Sequence, residues 1–86
     1  MTSPLHEAIR DYILETFLFT ADPAALRFDE SLTRRGIADS TGMLDIVLFV
    51  EERFGVQVGD ADVLPENFDS INAIAIFVAA RLRSAR

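Results

Sequence analysis

Two Asp-Ser pairs stand in front of apolar runs in this chain: Asp39-Ser40 in IADSTGMLDIVLF and Asp69-Ser70 in FDSINAIAIF. A serine hydroxyl at such a place has two chemical uses. It can cap the first helical turn by accepting a hydrogen bond from a backbone N–H, or it can be an attachment point for another group. Asp39 can serve as a cap as well. The other reactive residues offer less. His6, the single histidine, has neither a cysteine nor a second histidine to work with, so a metal centre or an activated nucleophile lacks parts. Asp60 and Asp62 in GDADVLPENF are spaced like calcium ligands, but the central glycine and the closing glutamate of a calcium loop are missing. An independent hydrolase or transferase would need a base near its nucleophile, and none stands near in sequence. The expectation is a protein without catalytic residues and without a metal site.

Composition narrows the setting. Eighty-six residues form one small domain, residues 1–86, and half of them are apolar, with seven phenylalanines to build a core. With no cysteine there are no disulfides or thiolate sites, and a reducing, cytoplasmic setting is expected. The N-terminus lacks the pattern of a signal peptide, and no apolar run approaches the roughly 18 residues of a membrane span. Fourteen acidic against eight basic residues give a net charge of −6, with no lysine, which argues against nucleic acid and for basic protein partners.

The elements that must position these residues read as helices. Ser3 as cap and Pro4 at the first helical position open a first helix, with Leu5, Ile9, Tyr12, Ile13 and Phe17 at helical spacing to about Phe19. A connection of about 20 residues follows, unusually long for a compact domain. Its Leu26, Phe28, Leu32 and Ile37 predict that it packs down, with a short helical turn. Five successive apolar residues, Ile46 to Val50, would also suit a buried strand. Caps at Asp39 or Ser40 and a left-handed close at Gly55 instead predict a second helix over residues 40–54, its inner face formed by Leu44, Val47, Val50 with Glu51, and Phe54. Met43, Ile46, Leu48 and Phe49 cannot all share that face, so some should be half exposed and available for docking. Beyond an extended piece at Val56 and Val58, a short turn near Asp60 to Leu64 is expected to end at Pro65. The last helix is expected to be capped by Asp69, to bury Ile71, Ile74, Ala75, Val78 and Leu82, and to carry Arg81, Arg83 and Arg86 where positive charge suits a C-terminus. The fold class is a small all-α bundle with three principal helices and one minor one.

The surroundings separate the two serines. Leu32-x-x-x-Gly36-Ile37-x-Asp39-Ser40, followed by a helix closing Glu51-Glu52-Arg53-Phe54-Gly55-Val56, resembles the acyl carrier proteins and their peptidyl or aminoacyl carrier relatives; nothing comparable surrounds Ser70. The resemblance covers essentially the whole chain, including the four-helix layout with a long loop between the first two helices. It implies that Ser40 carries 4'-phosphopantetheine, transferred from coenzyme A by a separate magnesium-dependent phosphopantetheinyl transferase, and that Asp39 helps that transferase bind its metal. The arm's thiol would hold cargo as a thioester. One departure stands beside Ser40: Thr41 replaces the leucine commonest in the family, and Gly42 follows it with its low helix propensity.

Under this resemblance the second helix is the docking element. Asp45, Glu51 and Glu52 would meet basic residues of an adenylating or acyl-transferring loading enzyme and of downstream synthase or tailoring enzymes, while Leu48 and Met43 fill an apolar pocket and Thr41 influences which partners accept the carrier. The expectation is a freestanding, monomeric carrier with no membrane or nucleic-acid partner, and the bulk of Phe49, Phe68 and Phe77 points towards small or aminoacyl cargo. The alternative is a small acidic helical interaction module that needs no modification and is indifferent to Ser40.

Overall fold

The computed structural model describes residues 3–84. The first helix, α1 (Pro4–Ile13), starts as its sequence dictates: Ser3 Oγ accepts the His6 N–H at 3.1 Å, and Pro4 takes a position where its missing N–H costs nothing. It runs on into a π-helical turn, Leu14–Leu18, and stops at Phe19, whose left-handed backbone (φ 53°) is the one positive φ outside glycine among the described residues. Ile9, Ile13 and Leu14 are buried, with Leu5, Tyr12 and Phe17 packed partly against the same core.

The long connection does pack down. It contains a short 3-10 turn, Pro23–Ala25, and buries Leu26, Leu32 and Ala38, with Phe28 and Ile37 half-buried. Its folding centres on Leu32. The Leu32 carbonyl accepts the N–H groups of both Ile37 (2.9 Å) and Ala38 (3.3 Å). Gly36 permits this reversal with a left-handed backbone at φ 69°, a conformation that costs glycine little. The Leu32 N–H is in turn bound by the Asp69 carbonyl at 2.7 Å, and the Asn72 N–H by the Phe28 carbonyl at 3.0 Å.

The second helix, α2 (Ser40–Phe54), has the bounds expected, with Gly55 closing it at φ 70°, the left-handed close typical of a helix-ending glycine. Its inner face differs from expectation. Ile46, Val47 and Val50 are buried, but Leu44 is 57% exposed and belongs to the outer face. After a 3-10 turn, Asp60–Asp62, comes a single helical turn, α3 (Pro65–Phe68). Pro65 opens it, being tolerated at a helix's first position, rather than ending the turn before.

The last helix, α4 (Ile71–Ser84), buries Ile71, Ile74, Ala75 and Val78 as expected, while Leu82 is 43% exposed because the helix outruns the core there. Its cap is Ser70, whose Oγ accepts the Ala73 N–H at 3.1 Å; Asp69, expected in that role, is used elsewhere. Arg81 pairs with Asp62 at 2.6 Å, tying α4 to the preceding turn, and Arg86 lies outside the described residues.

The described residues thus form an all-helical bundle, with α4 packed on α1 and α3 and touching α2. The core is completed by fully buried Phe68. The radius of gyration is 12.0 Å. A compact chain of this length has a radius of about 12 Å, so the long connection adds no excursion.

Candidate functional site at the start of helix α2

The local sequence assigns different work to Asp39 and Ser40. Asp39 lies outside the helix with extended backbone, and its Oδ1 accepts the Gly42 N–H at 2.8 Å. The aspartate is therefore the cap, and Ser40 is the first helical residue. It is exposed, and its Oγ makes no hydrogen bond with any described residue. Ser70, in the other Asp-Ser pair, occupies the cap position itself and spends its hydroxyl on Ala73. Two identical dipeptides differ by one position in register, and that difference frees one hydroxyl and commits the other.

Ser40 borders an open groove of about 680 Å³ between the start of α2 and the segment leading into α3. Ala38, Met43, Leu44, Val63, Leu64 and Pro65 make its lining largely apolar, and Leu44 and Leu64 are 57% and 41% exposed. The N–H groups of Ser40 and Thr41 have no carbonyl four residues back within the helix, so this end carries the partial positive charge of the helix dipole. The Asp39 carboxylate opposes it, and the site is not shaped for an anion alone.

No family model and no curated protein matches the chain. The site's chemistry therefore rests on its own residues.

The remaining residues singled out in the sequence fall into two groups. Thr41, Asp45, Leu48 and Glu52 recur at helical spacing on one exposed face of α2, with Leu48 55% exposed. Leu44, assigned to the core by its spacing, joins them one turn before Leu48, and the two leucines make an apolar stripe among acidic neighbours. Met43 and Glu51 lie off that exposed face. Met43 packs partly against the core, and Glu51 is half-buried with Oε2 accepting the Val58 N–H at 3.1 Å, which draws the chain after Gly55 back onto α2. Leu44 and Leu64, with Ala38, Val63 and Pro65 beside them in the groove, are site residues that sequence reasoning missed.

A row of aromatic rings lies under the helix. Tyr12 stacks on Phe49 (centroids 4.0 Å apart, planes 10° apart), and its hydroxyl donates to the Asp45 carbonyl at 3.2 Å. Burial pushes the Tyr12 hydroxyl above its ordinary pKa, with Asp45 and Glu52 adding to the effect against a hydrogen bond from Thr16. The phenol therefore stays a donor at neutral pH.

The two remaining candidates have structural duties. Asp62 Oδ2 accepts both the Gly59 N–H (3.1 Å) and Arg81 Nη2 (2.6 Å). His6 packs its ring beside Phe28 and shares a hydrogen bond with Ser3 Oγ. Among the described residues no helix is long and apolar enough to cross a membrane.

Proposed function

We propose that this chain is a carrier protein whose Ser40 is modified with 4'-phosphopantetheine and which presents a thioester-bound acyl or aminoacyl group to separate enzymes. The observation that carries the reading is the uncommitted Ser40 hydroxyl at the first position of α2, exposed beside an apolar groove while its neighbour Asp39 does the capping. In the loading reaction the serine hydroxyl gives up its proton and forms a bond to the pantetheine-bearing phosphorus of coenzyme A. The pyrophosphate bond breaks and adenosine 3',5'-bisphosphate leaves. The residues fit such a group: the Ser40 and Thr41 N–H groups stand at the attachment point, and the groove offers apolar surface to what is attached. When bound, the arm supplies the thiol that this cysteine-free chain lacks, and tethering keeps that thiol at high effective concentration near each docked enzyme.

The layout supports a carrier of the acyl-carrier type, with a long packed connection leading from α1 into the serine. The apolar space beside Ser40 is an open groove, and the core behind it is filled by Ile46, Phe68, Ile71 and Ile74, all fully buried. That arrangement favours a short or aminoacyl cargo lying on the surface over a long chain threaded between helices. The test is intact mass after incubation with a broad-specificity phosphopantetheinyl transferase, coenzyme A and Mg²⁺. One phosphopantetheinyl increment is expected; none, with a transferase active on another carrier, counts against the reading.

The exposed face of Thr41, Leu44, Asp45, Leu48 and Glu52 is the proposed docking surface for transferase and loading enzymes. It also gives the second reading its support, since an unmodified interaction module would use the same face. Glu51 and Glu52 should separate experimentally. Glu52→Lys is expected to slow loading several-fold at low salt, with the difference shrinking as salt rises and the melting temperature unchanged, because exposed charges act mainly on association rate. Glu51→Lys removes the acceptor of the Val58 N–H and is expected to lower stability by about 1 kcal/mol. Loading kinetics for Glu52→Lys that match wild type across a salt series would remove Glu52 from the surface.

A further inference from the structure

Gly42 is buried although it lies only two residues beyond exposed Ser40. A Cβ built on it would sit 3.0 Å from Phe17 Cε1, and 3.5 Å from both Ala38 Cβ and the capping Asp39 Oδ1. That first contact is tighter than side chains normally accept, so the Phe17 ring rests against the backbone of α2's first turn. Phe17 belongs to the π-helical turn Leu14–Leu18, whose wider winding displaces its side chains from α-helical register. The ring meets Tyr12 edge-on (6.2 Å, 83°), and Tyr12 is fastened to α2 by its stack on Phe49 and its bond to the Asp45 carbonyl. The end of α1 therefore grips α2 beneath Gly42 and again at Asp45 and Phe49.

We propose that Phe17 and Gly42 form a positioning seat that sets the placement of α2's first turn and thereby of Ser40 Oγ for phosphopantetheinyl transfer. The inference rests on the carrier reading. A side chain at position 42 has to displace either the ring of Phe17 or the helical turn that carries Ser40. The glycine that lowers helix propensity two residues after the serine also admits the ring that holds the turn. Phe17 acts through the backbone of α2's first turn and is a positioning residue. Of the docking face only Thr41 adjoins the seat, while Leu44, Leu48 and Glu52 lie further along α2, so an effect on the serine's placement should be separable from an effect on docking.

The experiment is steady-state phosphopantetheinylation of the full chain by one transferase with coenzyme A and Mg²⁺, comparing wild type, Gly42→Val, Phe17→Trp, Phe17→Leu and the double variant Gly42→Val/Phe17→Leu, each first shown folded by circular dichroism. Gly42→Val is expected to lower kcat about tenfold with KM within about twofold, because the serine is misplaced while docking is retained. Phe17→Trp crowds the same contact from the other side, without altering α2's own helix propensity, and should lower kcat likewise. Trimming the ring in the double variant should restore kcat to within about threefold of wild type, a rescue that lost stability or helix propensity alone would not produce. Unchanged kcat in both crowded variants, an effect confined to KM, or no rescue in the double variant would overturn the seat. Wild type that accepts no group from a transferase active on another carrier would fail the carrier reading itself and remove the seat's role with it.

Discussion

Ser40→Ala should remain at its unmodified mass after treatment with transferase, coenzyme A and Mg²⁺, while Ser70→Ala gains one phosphopantetheinyl group as wild type does. The stability changes should run the opposite way. Ser70 Oγ satisfies the Ala73 N–H at the start of α4. Replacing such a cap with alanine costs about 1 kcal/mol, or about 4–8 °C in melting temperature for a domain of this size. Ser40 caps nothing, because Asp39 Oδ1 holds the Gly42 N–H. Its loss from an exposed first helical position should change stability by less than about 0.5 kcal/mol. Intact mass and thermal unfolding on the same two variants therefore give crossed results if the division of labour is right. A modified Ser40→Ala would place the attachment elsewhere, and a Ser40→Ala protein destabilised as much as Ser70→Ala would make Ser40 a structural residue after all.

That crossing shows how far the sequence could be read. Both Asp-Ser pairs have the composition of a helix start, and the choice of capping residue within each depends on where the helix begins relative to it. Gly36, which turns the chain back onto the Leu32 carbonyl, sets that start for α2; α3 and the Phe28 carbonyl's hold on Asn72 set it for α4. Helix α2's bounds were legible because a cap and a left-handed glycine punctuate it on either side. Its faces were less so, since an apolar surplus at positions 43–50 fits several inner faces by spacing alone. The polar residues are the better guide: Thr41, Asp45 and Glu52 mark the outer face, and the opposite side contains Met43, Ile46, Val47 and Val50 while leaving Leu44 outside.

Other features had no local signature. Nothing in LETFL distinguishes the π-helical turn at Leu14–Leu18 from ordinary helix. The contact between Phe17 and Gly42 joins residues far apart in sequence and is invisible until the fold is known. Glu51 and Glu52 look alike in sequence, yet only Glu51 lies within reach of the Val58 N–H that follows Gly55.

Asp69→Ala should be among the most destabilising changes available at a non-core position. Its carboxylate accepts three hydrogen bonds across the fold, from Ser31 Oγ (2.6 Å), the Thr33 N–H (3.0 Å) and Thr33 Oγ1 (2.8 Å). Bonds to a charged acceptor are individually stronger than neutral ones, but this site is well solvated, and about 2 kcal/mol in all is the reasonable expectation. These bonds hold the middle of the connection against the junction of α3 and α4, beside the Leu32 N–H bound by the Asp69 carbonyl, so they fix the segment that delivers Asp39 and Ser40 to the start of α2. Partial burial, the largest single influence, pushes the Asp69 carboxyl up; the hydrogen bonds from Ser31 and Thr33, with Arg34 nearby, together outweigh it and hold the group below its ordinary value. A folded pKa below the unfolded one means that the carboxylate's contribution is fully present above the unfolded value near about 4 and is lost as pH falls through the folded value. The stability gap between wild type and Asp69→Asn, measured by urea unfolding, should therefore be constant from about pH 6 to 8 and shrink below about pH 4. A gap that widened on acidification would mean that Asp69 stabilises the fold in its protonated form, and one absent at neutral pH would mean that the connection is held by Leu32 alone.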